Sequence, residues 1–182
     1  MQQPSLTTTH LQLRPLRLTD ALVLTQLLNS DPRIAAMTVQ IPYPCPRELI
    51  ERWITGLEDS WTLGQSAAFA ICLQHSRQLI GVIALSAMDG DKPEIGYWLT
   101  AAHWHQGLGT QACRAMCQFA FTQGVRRIYA CHLPQNVASG KVLLKSGFHA
   151  LGFHRVTMVT LRQRMRVAVY RIEAPVTSRF PA

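Results

Sequence analysis

The sequence is poor in acidic residues and has no long apolar run. Asp and Glu number 10 against 18 Lys and Arg, which gives a formal net charge of +8 at pH 7. No stretch approaches the about 18 to 20 apolar residues that span a bilayer, and the N-terminus lacks the basic and apolar regions of a signal peptide. We therefore expect a cytoplasmic protein with no membrane partner. The excess positive charge favours anionic partners, such as coenzyme phosphates, acidic peptides or RNA.

The number and placement of the cysteines argue against both disulfides and metal sites. The five cysteines are an odd number and lie mostly inside apolar segments, which favours reduced, buried thiols. Cys113 and Cys117 have the spacing of one helix face, but no further His or Cys has zinc-site spacing, so we expect no metal. The length of 182 residues suits one domain. We predict a single domain over 1–182, with a core over about 10–173 and a flexible tail over 1–9.

The most informative stretch is a glycine-containing turn, Trp104-His-Gln-Gly-Leu-Gly-Thr110, between a predicted strand and a predicted helix. The first amides of a helix have no partner within it, and the helix dipole favours negative charge there. Glycine lets a phosphate approach the backbone closely. The turn therefore predicts an anion site, to which Thr110 could add a hydroxyl. The alternative is a tight turn that binds nothing.

Two common phosphate-binding motifs are excluded. The segment from Gly107 to Ala112 fits the dinucleotide pattern GxGxxA. That pattern requires the first strand–helix unit of a parallel sheet and an acidic residue about 20 positions later. Here hairpins precede the turn, and the next predicted strand, Arg127–Leu133, contains no carboxylate. No Gly-Lys-Ser/Thr sequence follows, so the turn is not a P-loop either.

Apolar periodicity predicts a mixed α/β (α+β) fold, with a largely antiparallel sheet flanked by helices. The predicted strands begin at Leu11 and then cover Ala67–Leu73, Leu79–Ser86, Glu94–Leu99, Arg127–Leu133, about Phe148–Val159 and about Arg164–Ile172. A first helix is predicted from a Thr19 or Asp20 cap to Asp31-Pro32, with Leu22, Leu24, Leu27 and Leu28 on its apolar face.

Three further helices are predicted. One covers about Arg47–Trp61, with inward side chains at Leu49, Ile50, Trp53, Ile54 and Leu57. The next begins at the glycine turn and ends near Gly124, which suits a C-cap. Its apolar face is predicted to comprise Leu108, Ala112, Ala115, Met116, Phe119 and Ala120. The last is short, from about Val137 to Ser146.

Five motifs, in this order and spacing, resemble the GNAT acetyltransferase superfamily, and most of all its Rim-type subgroup of ribosomal-protein N-terminal acetyltransferases. They are Leu13-Arg-Pro-Leu16 with Thr19-Asp-Ala21, Glu94-Ile-Gly-Tyr-Trp-Leu99, Trp104–Thr110, Asn136-Val-Ala-Ser139 and Val142-Leu-Leu-Lys-Ser-Gly-Phe148. The resemblance implies a GNAT fold and acetyl transfer from acetyl-CoA, without a metal, to a primary amine. The expected acceptor is a protein or peptide N-terminus, with a ribosomal protein among the expected partners. The expected assembly is a monomer or homodimer.

The resemblance also implies roles for individual residues. Asn136 would bind the pantetheine arm of the coenzyme, or simply cap the short helix, as Asn often does. Ser139 would lie near the sulfur as the proton donor. The coenzyme pyrophosphate would bind the turn at Gln106, Gly107, Leu108, Gly109 and Thr110, and the pantetheine arm would pair with the backbone of Trp98, Leu99 and Thr100.

Glu94 is the candidate general base, acting through a water. A carboxylate on a mostly buried strand is costly unless it has a task or a partner; the alternative is a solvent-facing Glu beside Lys92. Many relatives carry a Tyr as the acid on the helix that here contains Leu143, so the acid is assigned to Ser139 instead. This departure leaves open a non-catalytic acyl-CoA-binding or ribosome-associated module. A small-molecule amine, such as a polyamine, an antibiotic or an amino acid, is the alternative acceptor.

Overall fold

The computed structural model describes residues 2–38, 41–158 and 163–175. The strands are β1 (Leu6–Thr7), β2 (Leu11–Pro15), β3 (Ala67–Leu73), β4 (Leu79–Ser86), β5 (Glu94–Leu99), β6 (Arg127–His132), β7 (His149–Met158) and β8 (Gln163–Glu173). They form one sheet in the order β1-β2-β3-β4-β5-β6-β8-β7. Neighbouring strands are antiparallel except β5 and β6, which are parallel.

The helices are α1 (Ala21–Asn29), α2 (Pro32–Ala36), α3 (Arg47–Thr55), α4 (Leu57–Thr62), α5 (Leu108–Thr122) and α6 (Val137–Lys145). Short 3-10 helices lie at Leu18–Asp20 and Ala101–His103. None of the helices in the described ranges combines the length and the apolar character that crossing a membrane requires.

The sheet is covered by helices on both faces. In β3 the side chains of Phe69 and Ile71 belong to the core on the α5 side, whereas Ala70 and Cys72 belong to the core on the α1 and α3 side. Successive side chains of a strand point to opposite faces, so a strand buried on both faces reads as a continuous apolar run. The predicted fold class, a mixed α/β architecture with a largely antiparallel sheet, is confirmed.

The elements around the glycine turn match the sequence prediction closely. Strands β3, β4 and β5 have the predicted bounds, and α5 begins at Leu108, directly after the turn. Its buried face includes the predicted Leu108, Ala112, Met116, Phe119 and Ala120. Gly124, just beyond its end, has a φ of +89°, a backbone conformation that suits glycine. These boundaries were predictable because local periodicity and glycine placement both mark them.

The predicted helix over Arg47–Trp61 is wrong as one element, because the chain breaks it at Gly56 into α3 and α4. Leu49 and Trp53, expected to face inward, are 37% and 38% exposed. Only Ile50 and Ile54, one turn apart, are buried on α3. α3 has only nine residues and contacts the core along a single row of side chains, so only that row is buried. Leu22 on α1 is likewise exposed, while Leu24 and Leu28 are buried.

Two local predictions near the N-terminus also need correction. Leu6–Thr7 pairs with β2, so that part of the 1–9 segment is a strand rather than a flexible tail. Asp20 precedes α1, but its carboxylate makes no cap to α1. It accepts two hydrogen bonds of 2.8 Å from Arg14 and one from the backbone N–H of Arg17. The Arg14–Asp20 ion pair therefore links β2 to the 3-10 helix that precedes α1.

Candidate active site

A cleft of about 540 Å³ lies along the end of β5 that no longer pairs with β6, and its lining includes Tyr97, Trp98 and Leu99. The two strands pair at Glu94 and Tyr129, where the Tyr129 N–H donates to the Pro93 carbonyl at 2.8 Å. Beyond this point the described residues of β5 and β6 have no further register pair, and the N-terminal end of α5 and one side of α6 border the gap. The divergence leaves the β6-facing edge of β5 available to a ligand.

The antiparallel ladder between β4 and β5 determines which backbone groups face the cleft. The Thr100 N–H donates to the Ile80 carbonyl at 2.8 Å. Bonded and non-bonded pairs alternate along such a ladder, so Trp98 also directs its backbone groups toward β4. Tyr97 and Leu99 therefore direct theirs toward the cleft. The predicted use of Trp98 and Thr100 backbone groups is not supported by this geometry, whereas that of Leu99 is compatible with it.

The glycine turn presents helix-start amides to the cleft. Gly107 has a φ of +76°, a left-handed conformation that favours glycine, and it precedes the first turn of α5. The first backbone bond of the helix runs from the Gln111 N–H to the Gly107 carbonyl at 3.1 Å. Within the described residues, no backbone acceptor is assigned to the amides of Leu108, Gly109 and Thr110. Such unpaired amides, at the positive end of a helix dipole, suit an anion.

Gly109 lies at the most closely packed point of this turn. A Cβ atom added there would lie 3.5 Å from Val142 Cγ2 and 3.8 Å from Leu99 Cδ1 and Tyr97 Cε2. These are ordinary contact distances, so the site accepts a methyl group. The start of α5, strand β5 and helix α6 therefore meet at Gly109.

Most of the predicted site residues do line the cleft, but three do not. Gln106 is exposed, and its side chain donates to the Ala102 carbonyl. Thr100 is buried and shares a hydrogen bond of 2.7 Å with His103 Nδ1. Glu94, the third, is exposed at the paired end of β5. The predicted residues that line the cleft are Trp98, Leu99, Gly107, Leu108, Gly109, Thr110, Asn136 and Ser139.

Asn136 caps α6, as one of the two sequence interpretations held. Its side-chain oxygen accepts from the Ser139 N–H at 3.1 Å. Its side-chain nitrogen donates to the Met37 carbonyl at 3.0 Å, which ties α6 to the segment after α2. The predicted contact with pantetheine stays a prediction, since both ends of the amide already have partners within the chain.

Ser139 faces Tyr97, a residue that the sequence motifs did not assign to the site. The Tyr97 and Ser139 hydroxyl oxygens lie 2.9 Å apart, and both residues line the cleft. Burial raises the pKa of Tyr97, so its phenol stays protonated at neutral pH. Leu143 is 1% exposed and belongs to the core. The tyrosine hydroxyl that contacts Ser139 is therefore on β5, whereas α6 has the buried Leu143 where many relatives carry a tyrosine. The only sequence signal for a role of Tyr97 was its place within the motif Glu94–Leu99.

Glu94 has a partner on the neighbouring strand. The Cys131 thiol donates to Glu94 Oε1 at 3.1 Å. Burial and the nearby carboxylate raise the pKa of Cys131 to about 12, so it remains a neutral thiol near pH 7. Because side chains alternate along β5, Glu94 points to the same face as Trp98, the face that α1 and α3 cover elsewhere.

The ionisable groups along the cleft are mostly basic. Its charged or titratable lining residues, apart from Tyr97, are His103, His105, Lys141 and Lys145. Neither Asp nor Glu is found among the lining residues in the ranges that the structure describes. Those ranges also contain no group of three His, Cys, Asp or Glu side chains arranged to hold a metal ion. The electrostatics suit a phosphate-bearing ligand.

Comparison with known proteins identifies a family model and relatives that match most of the chain. The family described as acetyltransferase (GNAT) domain matches residues 10–149. The N-acetyltransferase p20 of Bacillus licheniformis, itself uncharacterised, is 30% identical over 157 residues, which cover 83% of this chain and 85% of that protein.

Two solved structures illustrate the similarity in fold. The ribosomal-protein-S5-alanine acetyltransferase of Vibrio fischeri has a TM-score of 0.82 at 18% identity, covering 96% of this chain and 98% of that one. RimL, the ribosomal L7/L12 alpha-N-protein acetyltransferase in complex with coenzyme A, has a TM-score of 0.78 at 21% identity, covering 93% and 98%.

Proposed function

Because the chain belongs to the GNAT acetyltransferase family, we propose that it transfers the acetyl group of acetyl-CoA to the amino group at the N-terminus of a protein or peptide. The observation that carries the proposal is the cleft along the end of β5 that no longer pairs with β6. This cleft combines the amides that begin α5, an available strand edge and the hydroxyl of Ser139.

The residues present fit the coenzyme. The amides of Leu108, Gly109 and Thr110 would hold the pyrophosphate, and Lys141 and Lys145 add positive charge along the same cleft. The cleft-facing backbone of Tyr97 and Leu99 would pair with the amides of the pantetheine arm. Acetyl-CoA supplies the acetyl group as an activated thioester.

The chain's own groups would then act at the two ends of the reacting centre. The acceptor nitrogen must be neutral to attack, so a base is needed on the acceptor side. Glu94 is the proposed base. It is exposed and lies outside the cleft lining, but it shares a face of β5 with Trp98, which lines the cleft, so it would reach the acceptor through a water. Ser139 lines the cleft beside the start of α6 and would face the departing sulfur.

The charge of the cleft supports a peptide N-terminus over a polyamine. A polycationic acceptor would meet His103, His105 and the two lysines without an acidic lining residue in the described ranges. A peptide N-terminus carries a single charge, which it loses before attack. Ile34, Met37 and Thr38 line the cleft near α2 and offer a largely apolar approach for the first side chains of a peptide. The names of the ribosomal-protein acetyltransferases with the same fold support the same acceptor class.

Release of free coenzyme A in the presence of acetyl-CoA and an acceptor panel tests the proposal. The panel contains peptides that begin with Ser, Ala or Met, the same peptides with blocked N-termini, polyamines and single amino acids. We expect release with free N-termini and none with the blocked peptides. Turnover confined to a small amine would contradict the acceptor assignment, and tight coenzyme binding without turnover on any amine would indicate a non-catalytic module.

A further inference from the structure

We infer that Tyr97 is a positioning residue that directs the hydroxyl of Ser139 toward the departing sulfur, an inference that rests on the proposed acetyl transfer. The two hydroxyl oxygens are 2.9 Å apart and join β5 to the start of α6. Tyr97 Oη also lies 3.3 Å from the Ser139 carbonyl oxygen, a longer contact to the same residue. The phenol thus has Ser139 as its partner at both the side chain and the backbone.

The direction of the hydrogen bond decides what Ser139 can do. A serine hydroxyl has one proton and can accept as well as donate. When Tyr97 donates its proton to Ser139 Oγ, the serine proton is free to point into the cleft. A chain of two hydroxyls also polarises its terminal O–H, which strengthens the bond that it donates.

The surroundings hold Tyr97 in this position. Its ring packs beside the helix start, where Cε2 would lie 3.8 Å from a Cβ on Gly109. Ser139 is held from the other side, because its N–H donates to the Asn136 side chain. Burial raises the pKa of Tyr97, so the phenol remains a donor throughout the neutral range.

In this inference the pair stabilises charge and keeps its protons, so Ser139 differs from the proton donor that the family resemblance implies. As the nitrogen–carbon bond forms, the carbon–sulfur bond breaks and its electron pair remains on sulfur. The Ser139 O–H donates a hydrogen bond to that developing negative charge, as donors do in an oxyanion hole. An alkoxide and a buried phenolate are both more basic than a thiolate, whose reference pKa is about 8.5. The proton that neutralises the sulfur therefore comes, through solvent, from the ammonium formed at the acceptor nitrogen.

Coenzyme binding tests the inference without any acceptor. The affinities of coenzyme A and of desulfo-coenzyme A, which lacks the sulfur, are measured by calorimetry from pH 6.5 to 9. A donor aimed at the sulfur favours the thiolate, so the affinity ratio of the two ligands should rise with pH in the unaltered protein. Tyr97→Phe and Ser139→Ala should each reduce this rise by at least about threefold. Desulfo-coenzyme A should bind all three proteins alike.

Turnover provides the second measurement once an acceptor is known. Ser139→Ala should lower kcat by about 100-fold, within the range of one positioned polar group, and Tyr97→Phe by about tenfold. KM for acetyl-CoA should change by less than about twofold. The double variant should be no slower than Ser139→Ala, because Tyr97 acts only through Ser139.

Tyr170→Phe is the matched control. Tyr170 is a buried tyrosine whose hydroxyl bonds His132 at 3.2 Å and would lie 3.0 Å from a Cβ on Gly140 of α6. It supports α6 without lining the cleft. Tyr170→Phe should keep the pH-dependent affinity ratio. An unchanged ratio in folded Tyr97→Phe, or an equal loss in Tyr170→Phe, would overturn the inference. Failure to acetylate any peptide leaves the binding test intact and contradicts only the proposed function.

Discussion

Asn136 bridges α6 and the segment after α2, because its side-chain nitrogen donates to the Met37 carbonyl at 3.0 Å. The side-chain oxygen of the same residue accepts from the Ser139 N–H and caps α6. One amide therefore orders the helix that carries Ser139 and ties it to the Met37 segment, which lines the same cleft.

Asn136→Ala should lower the free energy of unfolding by about 1 to 2 kcal/mol, because it removes a cap and a second hydrogen bond. Asn136→Asp separates the two contacts: it keeps an acceptor for the helix amide, at a helix N-terminus where the dipole favours negative charge, but it cannot donate to the Met37 carbonyl. We expect the Asp variant to lose less stability than the Ala variant in urea unfolding. Equal stability of the Ala variant and the unaltered protein would contradict the role of the cap.

Gly109→Glu should weaken coenzyme A binding by at least about tenfold, or about 1.4 kcal/mol, because it places a negative charge where the pyrophosphate would bind. Gly109→Gln adds a side chain of nearly the same size without the charge, so it separates repulsion from crowding. Gly109→Ala adds only a methyl group at contact distances of 3.5 to 3.8 Å and should bind nearly normally. Calorimetric titration measures all three. A folded Glu variant with unchanged affinity would refute the anion site.

Glu94→Gln should lower turnover most at low pH, where the acceptor is largely ammonium and needs a base. We expect a decrease of about tenfold near pH 6.5 and a partial recovery as the pH rises. Cys131→Ala removes the thiol that contacts Glu94 but leaves the carboxylate in place. Because the pKa of Cys131 is about 12, that thiol is neutral over the assay range, and its loss should preserve the pH profile. A normal rate and profile in Glu94→Gln would make Glu94 a structural carboxylate.

Asp20→Asn should destabilise the protein at neutral pH by about 2 kcal/mol, because it breaks a charged pair of hydrogen bonds from Arg14. Burial alone would raise the pKa of Asp20, but the hydrogen bonds from Arg14 and Arg17 outweigh it and lower the pKa. A carboxyl with a lowered folded pKa stabilises the fold above its ordinary pKa and loses that contribution as pH falls through the folded value.

The stability difference between the unaltered protein and Asp20→Asn should therefore be constant above about pH 5 and shrink below about pH 4. Unfolding by urea at a series of pH values measures it. Asp89→Asn, at an exposed position, serves as the control and should change stability by less than about 0.5 kcal/mol at each pH. A difference that stays constant down to pH 2 would show that the ion pair does not stabilise the fold.

Local chemistry in the sequence determined the strand, turn and helix at the centre of the site. Gly107 permits the left-handed turn, aromatic and branched residues specify β5, and helical periodicity specifies α5. Each of these signals acts within a few residues, so each can be read without knowing what packs against it. The family resemblance followed from the same motifs, and the GNAT prediction is confirmed.

Tertiary structure decided which groups meet. Tyr97 and Ser139 are 42 positions apart, and only the packing of α6 against β5 brings their hydroxyls together. β5 stops pairing with the distant strand β6 after Glu94, which leaves one edge of β5 free. The ladder with β4 directs the backbone groups of Tyr97 and Leu99, rather than those of Trp98 and Thr100, to that edge. Local periodicity shows which face of a strand or helix is apolar. It does not show which element packs on that face, because the favoured arrangement depends on the apolar area buried over the whole sheet.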